Sequence, residues 1–381
     1  MQKIIILGST GSVGRSSLKI ISQNKKLFDV LGLVAFSNEK LIREQSNKFK
    51  NAKTYLESPK NKNYSDKQIS KEALYELISS SEVDTVIAAI SGSEGLELTY
   101  HSIISGKKVL VANKEPLVMA GEFLINLAKK SNSTIIPIDS EHCSIHQSIN
   151  NRDIQKVSKI TLTCSGGPFN SLPKSKFKNI SLRDALKHPI WKMGKKISID
   201  SSTLMNKALE IIEAKYLFEI DQKKIDAIIH PEGIVHSLVE LTDGTVLASM
   251  AKPDMKIPIL YGLGFPETMN NKTNRIDIQK LSKLTFKKIN KNKFPSIDFA
   301  YFAINHGQGM PIVLNAANEI AVQSFMDSEI HFEDIFKVIS KTLNYAVKNN
   351  LKLKSVSLNS VLNFNNEIKE ITSKNLNSFL K

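Results

Sequence analysis

The chain contains few of the residues that mark several classes of protein. Its 381 residues include only two cysteines, Cys143 and Cys164, so a disulfide framework is excluded and a reducing compartment is indicated. No apolar run approaches the roughly 18 residues of a membrane-spanning helix. The apolar run at the start is too short for a secretory signal peptide, so a cytoplasmic protein is expected.

Arginine is also scarce. Only five of the 52 basic residues are arginine, and the other 47 are lysines spread along the whole chain. The formal net charge of +15 would suit a nucleic-acid partner. However, bidentate recognition of bases and phosphates depends mainly on arginine. We therefore expect no nucleic-acid partner and no membrane partner, but a preference for small anionic ligands.

What the chain does contain is a regular alternation of short apolar runs and helical segments over its first 140 residues. Such alternation predicts an α/β protein whose N-terminal Rossmann-like domain has a parallel sheet and crossover helices. The β-rich runs lie at 3–7, 31–36, 84–90, 107–112 and 133–138, and the clearest helical periods at 12–22 and 122–130.

The rest of the chain is expected to form a central α+β catalytic domain and a C-terminal α-helical domain. Strands are predicted at 160–164 and 196–199, a strong helix at 203–218, and a hairpin at 236–250 that turns at Asp243 and Gly244. Later helices are predicted to open at Pro311 and to cover 332–347. The domain boundaries predicted in this way are 1–150, 151–264, a connecting segment 265–292, and 293–381.

A glycine-rich loop follows the first predicted strand. Gly8, Gly11 and Gly14 form G-x-x-G-x-x-G, a variant of the dinucleotide fingerprint. Its glycines permit a tight turn, and the helix that follows can hold a pyrophosphate at its N-terminus. The second strand ends at Ser37 and Asn38, where an NAD enzyme usually places an acid for the ribose. NADPH is therefore the expected cofactor. The alternative is that the glycine loop is an ordinary turn between a strand and a helix and binds no cofactor.

Two acids, Asp139 and Glu141, follow the fifth run with only Ser140 between them. On an extended strand, residues two apart point to one face, so two carboxylates would converge and repel each other. A bound cation would relieve that repulsion. A carboxylate site without cysteine or obligatory histidine indicates Mg²⁺ or Mn²⁺ rather than zinc.

The predicted helix 203–218 offers a third acid. Residues 201–203 can cap its start, and its buried stripe is expected at Met205, Leu209, Ile212 and Tyr216. Asn206, Lys207 and Glu210 share a neighbouring face, which suits a phosphate beside a metal. Glu213 lies close to that face, so spacing does not choose between the two glutamates.

Three further segments carry candidate groups. Asn113, Lys114 and Glu115 close the fourth run at the sheet edge where ligands bind. Ser165 and the two glycines after it can form an anion-binding turn, or an ordinary turn before Pro168. Trp191, the only tryptophan, lies in a loop at 187–196 that is either a lid over a ligand or a buried anchor. His142 and His146, beside Cys143, are interpreted as packing residues.

Together these segments resemble the 1-deoxy-D-xylulose 5-phosphate reductoisomerase family over nearly the whole chain. The most specific stretches are PIDSEH at 137–142, SGGPF at 165–169, HPIWKMGKKISIDSSTLMNKALEIIEA at 188–214, HPEGIVHSLVEL at 230–241 and AKPDMKIPI at 251–259. The resemblance implies a homodimer, NADPH, and a divalent cation that is Mg²⁺, Mn²⁺ or Co²⁺. It also implies that 1-deoxy-D-xylulose 5-phosphate is rearranged and reduced to 2-C-methyl-D-erythritol 4-phosphate.

The resemblance also assigns roles to individual residues. It implies that Asp139, Glu141 and Glu210 bind the cation and that Lys114, Glu141, His188 and Glu210 are catalytic. The implied substrate-binding residues are Lys114, Ser140, Glu141, Ser165, His188, Trp191, Ser201, Asn206, Lys207 and Glu210. The implied cofactor-binding residues are Thr10, Gly11, Ser12, Val13, Asn38, Asn113, Glu115 and Gly194, together with Ser37 at the strand tip.

The tip of the second strand departs from the family. Phe36 stands where a small residue is usual, and Ser37 where a basic residue is common. The details of 2′-phosphate recognition are therefore not carried over.

Two other functions fit parts of the pattern. One is an NAD(P) dehydrogenase of the homoserine or aspartate-semialdehyde type, and the latter needs a cysteine nucleophile for which Cys164 is the candidate. The other is a non-catalytic dinucleotide sensor, which needs no site with three carboxylates.

Overall fold

Two units make up the chain in the computed structural model, which describes residues 1–61, 63–149, 152–191, 193–270, 275–307 and 309–381. Unit 1 comprises Met1–Pro116, Leu124–His146 and Asp254–Asn274. Unit 2 comprises Leu117–Phe123, Gln147–Pro253 and Arg275–Lys381. The four-part division from the sequence stays a prediction.

A parallel sheet forms the centre of unit 1, as predicted, and it has six strands, of which the one at Lys53–Leu56 was not among the five predicted runs. Its strand order is β3-β2-β1-β4-β5-β6, so the chain reverses direction across the sheet between β1 and β4. Residues 4–7 of β1 are at most 1% exposed, as expected for a parallel strand with helices on both faces of the sheet. The strands are β1 Gln2–Leu7, β2 Phe28–Ala35, β3 Lys53–Leu56, β4 Thr85–Ala88, β5 Lys108–Val111 and β6 Thr134–Pro137.

Crossover helices connect these strands. A later helix, α10, also belongs to unit 1, where its Ile259 and Leu263 join the core around β1, β5 and β6. The helices that lie wholly or partly in unit 1 are α1 Ser12–Gln23, α2 Glu39–Lys48, α3 Lys71–Ser79, α4 Leu96–Ile104, α5 Glu115–Ser131, α6 Ser140–Ile149 and α10 Lys256–Gly264.

Unit 2 has a four-stranded mixed sheet in the order β10-β9-β7-β8. β7 pairs parallel with β8 and antiparallel with β9, and β9 and β10 form the predicted hairpin. Gly244 in its turn has a φ of +88°, a conformation that glycine adopts without strain. The strands are β7 Val157–Cys164, β8 Ile225–Ile229, β9 Val235–Leu241 and β10 Val246–Met250.

The C-terminal part of unit 2 is helical, which confirms the predicted fold class. Phe332, fully buried, lies at the centre of a cluster that also contains Phe169, Phe177, Phe325 and Phe336. The cluster joins the loop after β7 to the helical region. The helices of unit 2 are α7 Leu182–Ala185, α8 Lys195–Ser202, α9 Met205–Leu217, α11 Ser296–Asn305, α12 Gly309–Met326, α13 Asp334–Lys348 and α14 Leu358–Leu380.

One predicted strand is wrong. Residues 196–199 lie inside the helix α8, and the Ser198 hydroxyl donates to the Gly194 carbonyl one turn earlier, at 2.9 Å. Four residues of alternating polarity are too short to distinguish a strand from a buried helix. Ile199 is fully buried, and helical packing overrides its β-propensity here.

None of the helices among the described residues is both long enough and apolar enough to cross a membrane.

Candidate active site

The glycine loop of unit 1 joins β1 to α1. Gly8 has a φ of +87°, and a Cβ atom there would lie 2.3 Å from the Ala89 carbonyl oxygen, at the end of β4. A Cβ atom on Gly14 would lie 2.3 Å from the Gly8 carbonyl oxygen. Neither position can hold a side chain without displacing backbone. The loop is therefore closed tightly on the sheet, as a dinucleotide fingerprint requires.

The first turn of α1 has the features of an anion-binding end. Its N-cap is Gly11, which has no side chain to occupy the free N–H groups, and the turn contains no acidic residue. Gly11 and Ser12 are exposed, and Thr10 and Val13 are half-buried. Four of the nine residues expected to bind the cofactor therefore line one helix N-terminus.

The tip of β2 carries an exposed polar pair and an engaged acid. Ser37 and Asn38 are exposed, and the Asn38 side chain caps α2 by accepting from the Leu41 N–H at 3.1 Å. The Glu39 carboxylate accepts from the backbone N–H of Asn61 at 2.7 Å and from its side-chain amide at 2.6 Å. These two hydrogen bonds lower the pKa of Glu39. Glu39, the first acid after β2 in the sequence, is thus held by hydrogen bonds to the loop that contains Asn61.

The residues after β5 are buried at the carboxyl edge of the sheet. Asn113, Lys114 and Glu115 are 5%, 4% and 6% exposed. The Asn113 amide donates to the Gly92 carbonyl at 3.0 Å, and its oxygen accepts from the Glu115 N–H at 3.3 Å. The Lys114 ammonium lies 2.6 Å from the Asp139 carboxylate. Because β5 and β6 are neighbouring parallel strands, their ends bring this pair together.

Asp139 and Glu141 do not lie on an extended strand, so the expectation that they share a strand face is wrong. β6 ends at Pro137, and α6 begins at Ser140. The Asp139 carbonyl accepts from the Cys143 N–H at 2.8 Å, so Asp139 starts the helix and Glu141 lies within its first turn. The Ser140 hydroxyl donates to the Glu141 carboxylate. Both acids lie at a helix N-terminus, which favours negative charge.

The neighbouring histidines are packed, as interpreted from the sequence. His142 is fully buried and Cys143 is 2% exposed. His146 Nδ1 lies 2.5 Å from the Tyr261 hydroxyl, and its ring packs edge-on against Phe265. Burial lowers the pKa of His146, which favours the neutral ring.

In unit 2, the loop after β7 brings Ser165 and His188 together. Ser165 Oγ lies 3.2 Å from His188 Nε2 and accepts from the Gly167 N–H, also at 3.2 Å. His188 Nδ1 accepts two backbone N–H groups, from Ile190 at 3.1 Å and Trp191 at 2.8 Å. With Nδ1 accepting, the neutral ring carries its proton on Nε2, which donates to the serine.

The same loop lies against the end of α8. A Cβ atom on Gly167 would lie 2.7 Å from the Ser201 carbonyl oxygen, so the glycine allows Ser165 and Ser201 to lie on adjoining segments. Gly194, the N-cap of α8, is exposed. Trp191 is half-buried, with its ring centroid 6.4 Å from that of His236, a residue the sequence interpretation did not single out.

The expected face of α9 is present. The Asn206 amide and the Lys207 ammonium both donate to the Glu210 carboxylate. Lys207 is 2% exposed and Glu210 is fully buried. Glu213 is also fully buried, so burial does not choose between the two glutamates. Because residues three and four apart are neighbours on a helix, the ammonium of Lys207 and the amide of Asn206 both contact the carboxylate of Glu210.

The start of α9 differs from its prediction in detail. Leu204, with a φ of +59°, separates α8 from α9, so the helix begins at Met205 rather than at residue 203. Thr203 accepts from the Met205 N–H at 3.3 Å, as a capping residue would. Ser201 and Ser202 belong to the preceding helix instead.

Family models match most of the chain. A model described as 1-deoxy-D-xylulose 5-phosphate reductoisomerase matches residues 4–121. Models for C-terminal domains of the same reductoisomerase match residues 135–218 and 250–371.

Curated relatives match the chain along its length. The 1-deoxy-D-xylulose 5-phosphate reductoisomerase of Thermoanaerobacter pseudethanolicus is 40% identical, over 98% of this chain and 99% of that protein. The corresponding protein of Thermodesulfovibrio yellowstonii is 42% identical, over 90% of this chain and 92% of that protein.

Solved structures agree. A crystal structure of DOX-P reductoisomerase in complex with NADPH, fosmidomycin and magnesium is 37% identical, covers 99% of both chains and superimposes with a TM-score of 0.93. The reductoisomerase from Zymomonas mobilis in complex with NADPH is 35% identical, covers 98% of both chains and has a TM-score of 0.88.

The buried Lys207–Glu210 pair generates a first prediction. Lys207→Met leaves the Glu210 carboxylate buried without its ammonium, which should lower the free energy of unfolding by about 3–5 kcal/mol. Adding Glu210→Gln removes the buried negative charge and should restore most of that loss. Urea denaturation of the wild type and the two variants measures the effect.

Lys187→Met is the matched control, because it breaks an i,i+3 pair with Asp184 whose side chains are 63% and 47% exposed. A surface pair of this kind contributes about 1 kcal/mol or less. A mild effect of Lys207→Met, equal to that of the control, would contradict the analysis.

Proposed function

The chain belongs to the 1-deoxy-D-xylulose 5-phosphate reductoisomerase family, and on that premise we propose which of its residues carry the reaction. The protein is an NADPH-dependent oxidoreductase that converts 1-deoxy-D-xylulose 5-phosphate to 2-C-methyl-D-erythritol 4-phosphate in isoprenoid biosynthesis. The reaction breaks and re-forms a C–C bond to give a branched aldehyde, which is then reduced. The observation that carries this conclusion is the match to such enzymes over 98% of the chain. That match does not favour the dehydrogenase or sensor alternatives.

The glycine loop fits NADPH. At Gly8 and Gly14 a Cβ would overlap backbone atoms, and the first turn of α1 offers uncapped N–H groups. We assign the pyrophosphate to residues 10–13, and the adenosine end to Ser37 and Asn38. The nicotinamide end is assigned to Asn113, Glu115 and Gly194. Ser37 brings no charge to the 2′-phosphate, and the Glu39 carboxylate is held by Asn61.

The cation is assigned to Asp139, Glu141 and Glu210. The donor set supports this assignment, because carboxylate oxygens are the preferred ligands of Mg²⁺ and Mn²⁺. When bound, the cation supplies Lewis acidity at the substrate ketone and a neighbouring hydroxyl, and NADPH supplies the hydride. Lys114 already offsets the Asp139 charge, and Lys207 that of Glu210.

The phosphate of the substrate is assigned to donors of unit 2. Ser165 and Ser201 lie on adjoining segments, and Asn206 and Lys207 lie on the first turn of α9. Hydroxyl, amide and ammonium groups all donate hydrogen bonds, which suits a dianionic phosphate. His188, whose Nε2 proton points to Ser165 in the neutral ring, joins this group.

The remaining residues are assigned to the part of the substrate where the reaction takes place. Lys114, Ser140 and Glu141 would contact the sugar hydroxyls, with Lys114 and Glu141 able to donate and accept protons there. Trp191 is assigned to the wall of the substrate site, where an apolar ring beside His188 excludes water.

We also propose a homodimer that works in the cytoplasm, where the free thiols Cys143 and Cys164 stay reduced. β10 is an edge strand of the unit 2 sheet, and its Val246 is 51% exposed. An exposed edge of this kind is normally covered, and a second copy of the sheet can cover it.

A second prediction tests the cation assignment. Asp139→Asn, Glu141→Gln and Glu210→Gln each remove one negative ligand, so each should need far more Mg²⁺ or Mn²⁺ for half-maximal activity. At a fixed metal concentration the rate should fall about a hundredfold, the effect of losing a transition-state contact of ~3 kcal/mol. Titrations of activity with metal measure this, and the dissociation constant of NADPH should stay near that of the wild type.

Glu213→Gln is the matched control, because Glu213 is as buried as Glu210 and one turn further along α9. Its metal requirement should be unchanged. An altered requirement in Glu213→Gln but not in Glu210→Gln would move the third ligand one turn along the helix.

A third prediction concerns the cofactor. Ser37→Asp should lower kcat/KM with NADPH about tenfold and leave NADH little affected, since a like charge ~4 Å from the 2′-phosphate costs at least ~1 kcal/mol. Asn38 is left unchanged because it caps α2. Ser79→Asp adds the same charge at the exposed end of α3 and is the control. Equal efficiencies of the wild type with NADPH and NADH would overturn the assignment.

A fourth prediction tests the dimer. Light scattering should give twice the mass of the 42.5 kDa chain for the wild type, and Val246→Asp should shift the population toward the monomer. Val347→Asp places the same charge at a residue of α13 that is 44% exposed and should leave the mass unchanged. A monomeric wild type at micromolar concentration would refute the proposal.

A further inference from the structure

A chain of polar contacts around a buried carboxylate joins helix α8 to helix α12 in unit 2. The Lys196 ammonium lies 3.0 Å from one oxygen of the Asp200 carboxylate. The Asn318 amide donates to the other oxygen at 2.8 Å, across 118 residues of sequence. The Asp200 side chain is 3% exposed and Asn318 is fully buried. None of the three residues has a role in the assignments above.

This arrangement holds α8 firmly. A carboxylate that loses its water is stable only with charged or hydrogen-bonding partners, and each oxygen of Asp200 has one. Hydrogen bonds to ionised groups are shorter and stronger than neutral ones. Rotating or sliding α8 against α12 would break the hydrogen bond from Asn318 and leave the buried Asp200 carboxylate with fewer partners. The Asp200–Asn318 hydrogen bond therefore fixes the position of α8 along α12.

Ser201 is the residue directly after Asp200. Its backbone is also held from the opposite side, because Gly167 packs against the Ser201 carbonyl oxygen. Thr203, which closes α8, donates to the Asp200 carbonyl at 3.1 Å, and its own carbonyl accepts from the Ser296 hydroxyl at 2.8 Å. The anchor at Asp200 is the only one of these contacts made by a charged side chain.

Lys196 extends the anchor to the beginning of α8. It is the second residue of the helix and lies two residues after the exposed cap Gly194, which ends the loop that carries Trp191. One carboxylate thus fixes both the first turn of α8 and its last.

We propose that Asn318 is a positioning residue for the phosphate group of the substrate, acting through Asp200 on Ser201. The inference rests on the proposed function, which assigns Ser201 to that phosphate. Asn318 lies on the C-terminal helical part of the chain, so this part sets the affinity of the site without touching the ligand.

The test is the binding of inorganic phosphate to the full-length protein, measured by calorimetry. Asn318→Ala should weaken phosphate binding about tenfold. This is the range expected when a displaced Ser201 loses its one hydrogen bond to the charged phosphate. NADPH binding should change less than phosphate binding, because Gly194 is the only residue assigned to NADPH that adjoins α8. The exchange variant Asp200→Asn with Asn318→Asp restores an amide-to-carboxylate hydrogen bond in the opposite sense and should recover most of the phosphate affinity.

Asn315→Ala is the matched control. Asn315 is also fully buried, lies one turn earlier on α12, and donates to Glu319 of the same helix rather than to α8. It should lower the stability of the fold without changing phosphate affinity. Equal phosphate affinities in Asn318→Ala and Asn315→Ala would overturn the inference. Should Asn318→Ala not fold, failure of the folded exchange variant to bind phosphate within about threefold of the wild type would do the same.

Ser201→Ala separates this inference from the function it rests on. If Ser201→Ala leaves phosphate binding unchanged, the assignment of the phosphate site is wrong. If Ser201→Ala weakens binding and Asn318→Ala does not, only the positioning role fails.

Discussion

The pairing of buried or half-buried carboxylates with lysine is the interaction on which the described sites depend. Asp139 is held by Lys114, Glu210 by Lys207, and Asp200 by Lys196. A buried carboxylate without a counter-charge is strongly disfavoured, so each pair is a condition for placing an acid at that point of the fold. Lysine suits the task because it is a compact charge on a flexible stem that reaches an acid on its own or a neighbouring element. The unusual excess of lysine over arginine in this chain is therefore used inside the protein as well as on its surface.

Each pair also uses a different structural device. Lys114 and Asp139 meet because parallel strands end at one edge of a sheet. Lys207 and Glu210 meet because residues three apart are neighbours on a helix. Lys196 and Asp200 meet in the same way, but Asn318 completes their group from a distant helix. The three charged pairs are thus placed by strand order, by helical period and by tertiary packing in turn.

Glycine has the complementary role of letting backbones approach. At Gly8 and Gly14 it closes the cofactor loop on the sheet, and at Gly167 it brings the turn after β7 against α8. In each place a Cβ atom would overlap backbone, which cannot move as a flexible side chain can. The family membership of the chain agrees with the geometry of the cofactor loop, because a dinucleotide needs backbone N–H groups at close range.

Local patterns in the sequence determined much of this protein. Alternating apolar runs predicted the parallel sheet, Asp243 and Gly244 predicted the hairpin, and helical spacing predicted that Asn206, Lys207 and Glu210 share a face. Tertiary structure decided the rest. Residues 196–199 became helix because their packing outweighed β-propensity, and Asp139 and Glu141 became the start of a helix rather than the end of a strand. The Asp200–Asn318 bond spans 118 residues, and no periodicity of 2 or 3.6 residues extends that far. Such contacts arise only when the whole chain has found its packing.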